Sequence, residues 1–137
     1  MAFELKKVDY FYLSVPGETG EACQLLEGWA GQGINLLAFA AVPFGQGKTQ
    51  LTLFPEDAAR LQREGAQARL TFDGPHPAIL AQGDDELGAL ATVHQKLDAA
   101  GAEVYATSGV ADGRGGYGYV IYLRPSSLPE ALTALEL

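Results

Sequence analysis

The sequence predicts an α/β (α+β) protein in which a β-α-β-β-α-β order of elements begins twice. Three observations predict it. Residues 8–15 alternate with period two, the mark of a half-buried strand. Residues 18–30 and 86–100 carry apolar side chains at helical spacing. The stops and turn residues of the first half recur 68 positions later in the second.

The first strand places Phe11, Leu13 and Val15 on one face and Val8, Tyr10 and Tyr12 on the other. Pro16-Gly17 stops it. A helix over 18–30 follows, its buried stripe made of Ala22, Leu25, Leu26 and Trp29, and Gly31 and Gly33 end it. Asn35 to Val42 reads as a strand, Pro43 to Gly47 as a turn, and Thr49 to Phe54 as a strand with Leu51 and Leu53 on one side. Pro55 opens a helix through Glu64, Gly65 closes it, and Ala68 to Phe72 reads as a fourth strand. In the second half Ala78 to Ala81 is extended, Gln82 to Asp85 turns, and the helix over 86–100 bears Leu87, Leu90, Val93 and Leu97. Gly101 stops that helix. Glu103 to Thr107 is extended, Asp112 to Gly116 forms a hairpin, Tyr117 to Arg124 is a strand, and Ser127-Leu128-Pro129-Glu130 starts a last helix. The offset of 68 pairs Gly17 with Asp85, Gly33 with Gly101, Glu18 with Glu86, Gly20 with Gly88, and glycines 45 and 47 with 113 and 115. Two units result, 1–73 and 74–137. A tight, proline-rich linker at Asp73-Gly74-Pro75-His76-Pro77 holds them closely, since repeats this short do not bury their apolar faces alone.

Composition narrows the function classes. Of 137 residues 47% are apolar and 19% charged, as in a globular protein with its own core. A formal net charge of −8 with nine scattered Lys and Arg argues against nucleic acid and against an anionic membrane surface. Cys23 is alone, so no intrachain disulfide forms. No secretory signal and no membrane-length apolar run stands in the sequence, which leads us to expect a cytoplasmic protein.

Ser14-x-Pro16-Gly17, an amphipathic helix, then Gly33-Ile34-Asn35 and an apolar strand resembles the ACT domain, whose pattern is an Asp-x-Pro-Gly-x-Leu turn, a helix and a Gly-Ile-Asn-Ile strand start. Asp85-Glu86-Leu87-Gly88 and Gly101-Ala102-Glu103-Val104 resemble it more faintly, so the likeness covers nearly the whole chain as a tandem pair. The resemblance implies ferredoxin-like units side by side, sharing one antiparallel sheet with helices on one face. It implies a non-catalytic regulator, without cofactor or metal, that binds an amino acid at a domain or subunit seam, assembles as a homo-oligomer and reports to a partner enzyme. Departures are Ser14 for the family's Asp, Thr19 for its Leu and Glu103 for its second-repeat Asn. Because the sequence given ends at Leu137, we also expect the second unit to lack its last strand. A structural module of the same fold that no longer binds ligand is the alternative, favoured by those substitutions.

The candidate ligand site is Ser14, Val15, Pro16, Gly17, Glu18 and Thr19 with Gly33, Ile34 and Asn35. Backbone N–H groups at 17–19, at a helix start, suit a carboxylate, and Asn35 offers a donor and an acceptor to the other pole. A weaker second site comprises Gly83, Asp84, Asp85, Glu86, Leu87, Ala102 and Glu103. Its acidic residues read either as helix caps or as a site for an ammonium or divalent cation. Enzymatic readings are poorer. Gly45-Gln46-Gly47-Lys48-Thr49 resembles the end of a phosphate-binding loop, but Val42 stands where that loop needs glycine and a strand follows. His94 reads as a structural helix residue and His76 as a linker residue, and together they make no metal site. Tyr10, Tyr12 and Tyr119 read either as sheet packing or as an exposed interface.

Overall fold

Alternating apolar residues carry the first strand further toward the N-terminus than predicted. β1 runs Phe3–Pro16, followed by α1 (Thr19–Gly31), β2 (Leu36–Pro43), β3 (Lys48–Pro55), α2 (Ala58–Gln67), β4 (Asp73–Asp84), α3 (Ala89–Ala99), β5 (Val104–Ala111), β6 (Gly116–Leu123), a 3-10 turn (Pro125–Ser127) and α4 (Leu128–Leu135). The computed structural model describes residues 3–17, 19–45, 47–84 and 88–137. Glu18, Asp85, Glu86 and Leu87 of the candidate sites lie outside these described residues. The chain divides into two compact units, Asp9–His76 and a second of Met1–Val8 with Pro77–Leu137.

In the unit Asp9–His76, β3 pairs antiparallel with β1 on one side and β2 on the other. The register sets Phe11 opposite Leu53 and Leu13 opposite Leu51, so one face of both strands is apolar. Ala22 and Trp29 of α1 and Leu61 of α2 close over that face, with Val15 and Ile34 completing the core. Each such large apolar side chain contributes roughly 1.5–3 kcal/mol when fully buried. On the opposite face Tyr10 stacks on Phe54 at 5.0 Å between ring centroids and meets Tyr12 edge-on at 5.3 Å. The predicted alternation of this strand is the one observed.

Three readings change here. Gly65 does not end α2; it lies buried inside it, and the helix continues to Gln67. The left-handed residue of the stop is Arg69, φ 60°, with Leu70 N–H donating to the Gly65 carbonyl at 2.8 Å and Arg69 N–H to that of Ala66 at 3.1 Å. Residues 68–72 are consequently a turn, whose Leu70 and Phe72 pack on the core as side chains rather than pairing as a strand. The strand begins at Asp73 and passes through the proline-rich stretch read as a linker. Both prolines precede Ala78, where the register with β6 begins, so neither deletes a donor from that ladder.

In the second unit β6 pairs antiparallel with β4 and β5. Ile79, Ile121 and Leu123 face Val93 and Leu97 of α3 and Ala131 and Leu135 of α4. Tyr119 shares the parity of Ile121 and packs on this helix side, not on the open face. No strand follows α4 among the described residues, and Leu5 of β1 packs against this core.

The repeat holds down to single hydrogen bonds. Ile34 N–H donates to the Trp29 carbonyl at 2.9 Å, and Ala102 N–H to that of Leu97 at 3.0 Å. Gly33 and Gly101, φ 76° and 73°, occupy the left-handed position of these matching stops. The β2–β3 register breaks between Leu36 and Ala38, the β5–β6 register between Val104 and Ala106. Every one of these pairs is separated by 68 residues.

Candidate functional site

The Pro16 corner is built by the end of β1 and the start of α1. Ser14, opposite Gln50, is exposed; Val15 points into the core; Pro16 sits opposite Lys48. Gly17 takes φ 84°, a conformation that disfavours any Cβ. Its N–H donates to the Gly47 carbonyl at 2.6 Å. Its carbonyl accepts from Thr49 Oγ1 at 2.9 Å, and Thr49 is fully buried. The Glu21 side chain folds over the turn, its Cγ 2.8 Å from where a Cβ on Gly17 would stand. The Gly17 amide, which the sequence reading assigns to a ligand carboxylate, is therefore already used, by a carbonyl of the β2–β3 turn. Thr19 begins α1.

Gly33, Ile34 and Asn35 lie at the other end of α1. Thirteen residues of helix separate the two groups by about 20 Å. This unit thus does not bring the Pro16 corner and Asn35 to the two poles of one small ligand. Asn35 Nδ2 donates to Glu56 Oε2 at 2.8 Å, and its carbonyl accepts from Glu56 N–H at 2.9 Å. The Arg60 guanidinium donates to the Gln32 carbonyl and lies 3.0 Å from a Cβ built on Gly33. Asp57 caps α2, accepting from Arg60 N–H at 3.2 Å. These groups leave a cavity of 130 Å³ lined by Gly33, Ile34, Asn35, Glu56, Asp57 and Arg60.

In the second unit Gly83 and Asp84 end β4, opposite Tyr117 and Gly116. Ala102 and Glu103 match Ile34 and Asn35. Glu103 Oε2 pairs with Arg124 Nε at 2.8 Å, where the first unit has the Asn35–Glu56 bond. Glu103 N–H donates to Ser127 Oγ at 2.9 Å, and its carbonyl accepts from Arg124 N–H at 3.2 Å. Beside this pair opens a cavity of 570 Å³. Its floor is Leu97, Ala102 and Val104, and its rim His94, Asp98, Glu103, Tyr105 and Arg124. Of this lining, sequence reasoning named Ala102 and Glu103 as site candidates and His94 as a structural residue; Asp98, Tyr105 and Arg124 join them only in the folded chain. The offset of 68 held the signal: Leu26, Ala30, Leu37 and Glu56 stand at the matching positions.

Two titratable groups are shifted. Hydrogen bonds from Arg114 N–H and then Gly116 N–H hold the Asp112 carboxyl below its usual value. Burial, then the neighbouring Tyr105 phenol, pushes the Tyr122 hydroxyl up. His76 lies 3.2 Å from Asp73 Oδ1 and against the rings of Tyr10 and Tyr12. Among the described residues no group of three or more His, Cys, Asp or Glu gathers as a metal site, and no helix is long and apolar enough to cross a membrane.

Neither the models of protein families nor the curated proteins include a match to this sequence. Solved structures do resemble it. A protein from Bacteroides thetaiotaomicron superposes with a TM-score of 0.78 at 18% identity, over 96% of this chain and 88% of the other. The regulatory subunit of aspartate kinase from Thermus thermophilus, in ligand-free form, gives 0.63 at 14% identity over 99% and 95%. That of Thermus flavus gives 0.52 at 16% identity over 99% and 95%. The chain shares the ferredoxin-like α+β fold of these structures.

Proposed function

We propose that this chain is a non-catalytic regulatory protein that binds an amino acid or a similar small metabolite and reports it to a partner, an enzyme being the natural candidate. The observation that carries the reading is the likeness to an aspartate kinase regulatory subunit over nearly the whole of both chains. Such a role needs a ligand with unequal affinity for two states of the protein. The reading puts that ligand on the Ala102–Glu103 side of the fold rather than at the Pro16 corner, because the corner's Gly17 amide and carbonyl are satisfied internally. Copies associate through edge strands. β5 pairs with β6 alone among the described residues, bears no charged side chain, and is almost wholly exposed; β2 exposes Phe39 and Val42.

Calorimetric titration with the twenty amino acids tests the reading. Heat of binding and a concentration-dependent rise in melting temperature are expected for at least one of them. Silence with all twenty favours the second reading, a structural module without ligand, for which the self-satisfied Gly17 turn is the supporting observation.

A further inference from the structure

Resting on that reading, we infer that the cavity beside α3 is a site for a small zwitterion with an apolar body, its carboxylate held by Arg124 and its ammonium by Asp98. The volume, 570 Å³, lies within the range of small-molecule sites. Arg124 spends Nε on Glu103, and its terminal nitrogens meet no carboxylate among the described residues. An exposed ion pair of this kind contributes little to stability, so a ligand carboxylate shares or displaces it at small cost. Asp98 lies one helical turn from His94 on α3; its backbone carbonyl accepts from Gly101 N–H at 3.0 Å, and its carboxylate is exposed at the cavity rim. Leu97, Ala102 and Val104 supply an apolar floor between the two poles.

The repeat gives an independent argument. The two units share backbone hydrogen bonds, helix stops and bulges at an offset of 68, so geometry does not demand different chemistry at this place. Yet the first unit has Leu26, Ala30 and Leu37 where the second has His94, Asp98 and Tyr105, and the cavity beside its Asn35 is 130 Å³. At three positions of this cavity the second unit is thus polar where the first is apolar.

Charge selects among ligand classes. Asp98 and Glu103 repel a dicarboxylate or a phosphate, and Arg124 repels a lone divalent cation. A molecule bearing one charge of each sign satisfies all three.

Calorimetry with leucine, valine and methionine tests the site, alongside the 2-oxo acid and the amine corresponding to leucine. Wild-type protein binds at least one of the amino acids, and neither single-pole analogue matches leucine. Arg124→Gln and Asp98→Asn, both at exposed positions, each weaken binding by about ten- to a hundredfold, as expected for a charge-assisted hydrogen bond. Full affinity in both Arg124→Gln and Asp98→Asn overturns this site while leaving the regulatory reading intact. Binding confined to charged or polar amino acids overturns the apolar floor. Wild-type silence with all twenty amino acids overturns the regulatory reading itself.

Discussion

Glycine-to-alanine substitutions at positions 65 and 28 are the same chemical change in two helices, and the structure predicts opposite signs. Removing a glycine from a helix interior gains about 1 kcal/mol from propensity alone. At Gly28, in α1, an added Cβ meets nothing within 4 Å, so that gain is realised. At Gly65, in α2, the Cβ falls onto the Phe72 ring at Cε2, with Cδ2 and Cζ at 2.9 Å. The ring cannot simply swing away: its centroid lies 5.8 Å from that of Phe11 and 6.4 Å from that of Trp29. Overpacking of this kind costs about 1–3 kcal/mol, leaving a net loss of up to about 2 kcal/mol. Urea denaturation followed by fluorescence of Trp29, the single tryptophan and itself 5% exposed, reads both variants. The melting temperature should move by about 3–5 °C per kcal/mol, up for Gly28→Ala and down for Gly65→Ala. A rise for Gly65→Ala would refute the packing argument.

Thr49→Val removes the hydroxyl that satisfies the buried side of the Gly17 turn, so urea denaturation should show a loss of about 1–3 kcal/mol; an unchanged midpoint would mean the Gly17 carbonyl does not depend on Thr49. Asp112, its folded pKa depressed, contributes stability that is present above the unfolded carboxylate value of about 4 and is lost as pH falls through the lower folded value. The deficit of Asp112→Ala relative to wild type should be constant from pH 7 to about pH 5 and shrink below about pH 4. Thermal denaturation across that range checks it, and a deficit independent of pH would contradict the Asx-type closure of the β5–β6 hairpin.

Local patterns were legible where local forces decide. The alternation of Phe11, Leu13 and Val15 survives because one face of β1 is covered and the period of a strand is strict. The stripe Ala22, Leu25, Leu26 and Trp29 gave α1 to within a residue. Gly33 and Gly101 marked true helix stops because only a residue tolerant of positive φ closes them without strain. Gly65 misled because its reason is tertiary: a ring seven residues later needs the space. Phe72 and Leu70 looked like a strand for the same cause, being apolar at alternate positions yet satisfied by packing on the core. At the Pro16 corner, the sequence placed Gly17 at a turn but could not foresee that Thr49, thirty-two residues on, fills its hydrogen bond. The cavity beside α3 draws on a helix, a loop, a strand and the residue after another strand, so no short motif announces it. The comparison of the two repeats, position by position, was the one place its polarity was written.

Amide chemical-shift mapping of the isotope-labelled protein with saturating leucine, valine and methionine in turn tests most directly whether a small zwitterion is received beside α3. The largest changes are predicted at Asp98, Ala102, Glu103, Tyr105 and Arg124, with Val15 and Gly17 unmoved. Changes centred on Val15, Gly17 and Asn35, or none anywhere in the spectrum, would contradict the account.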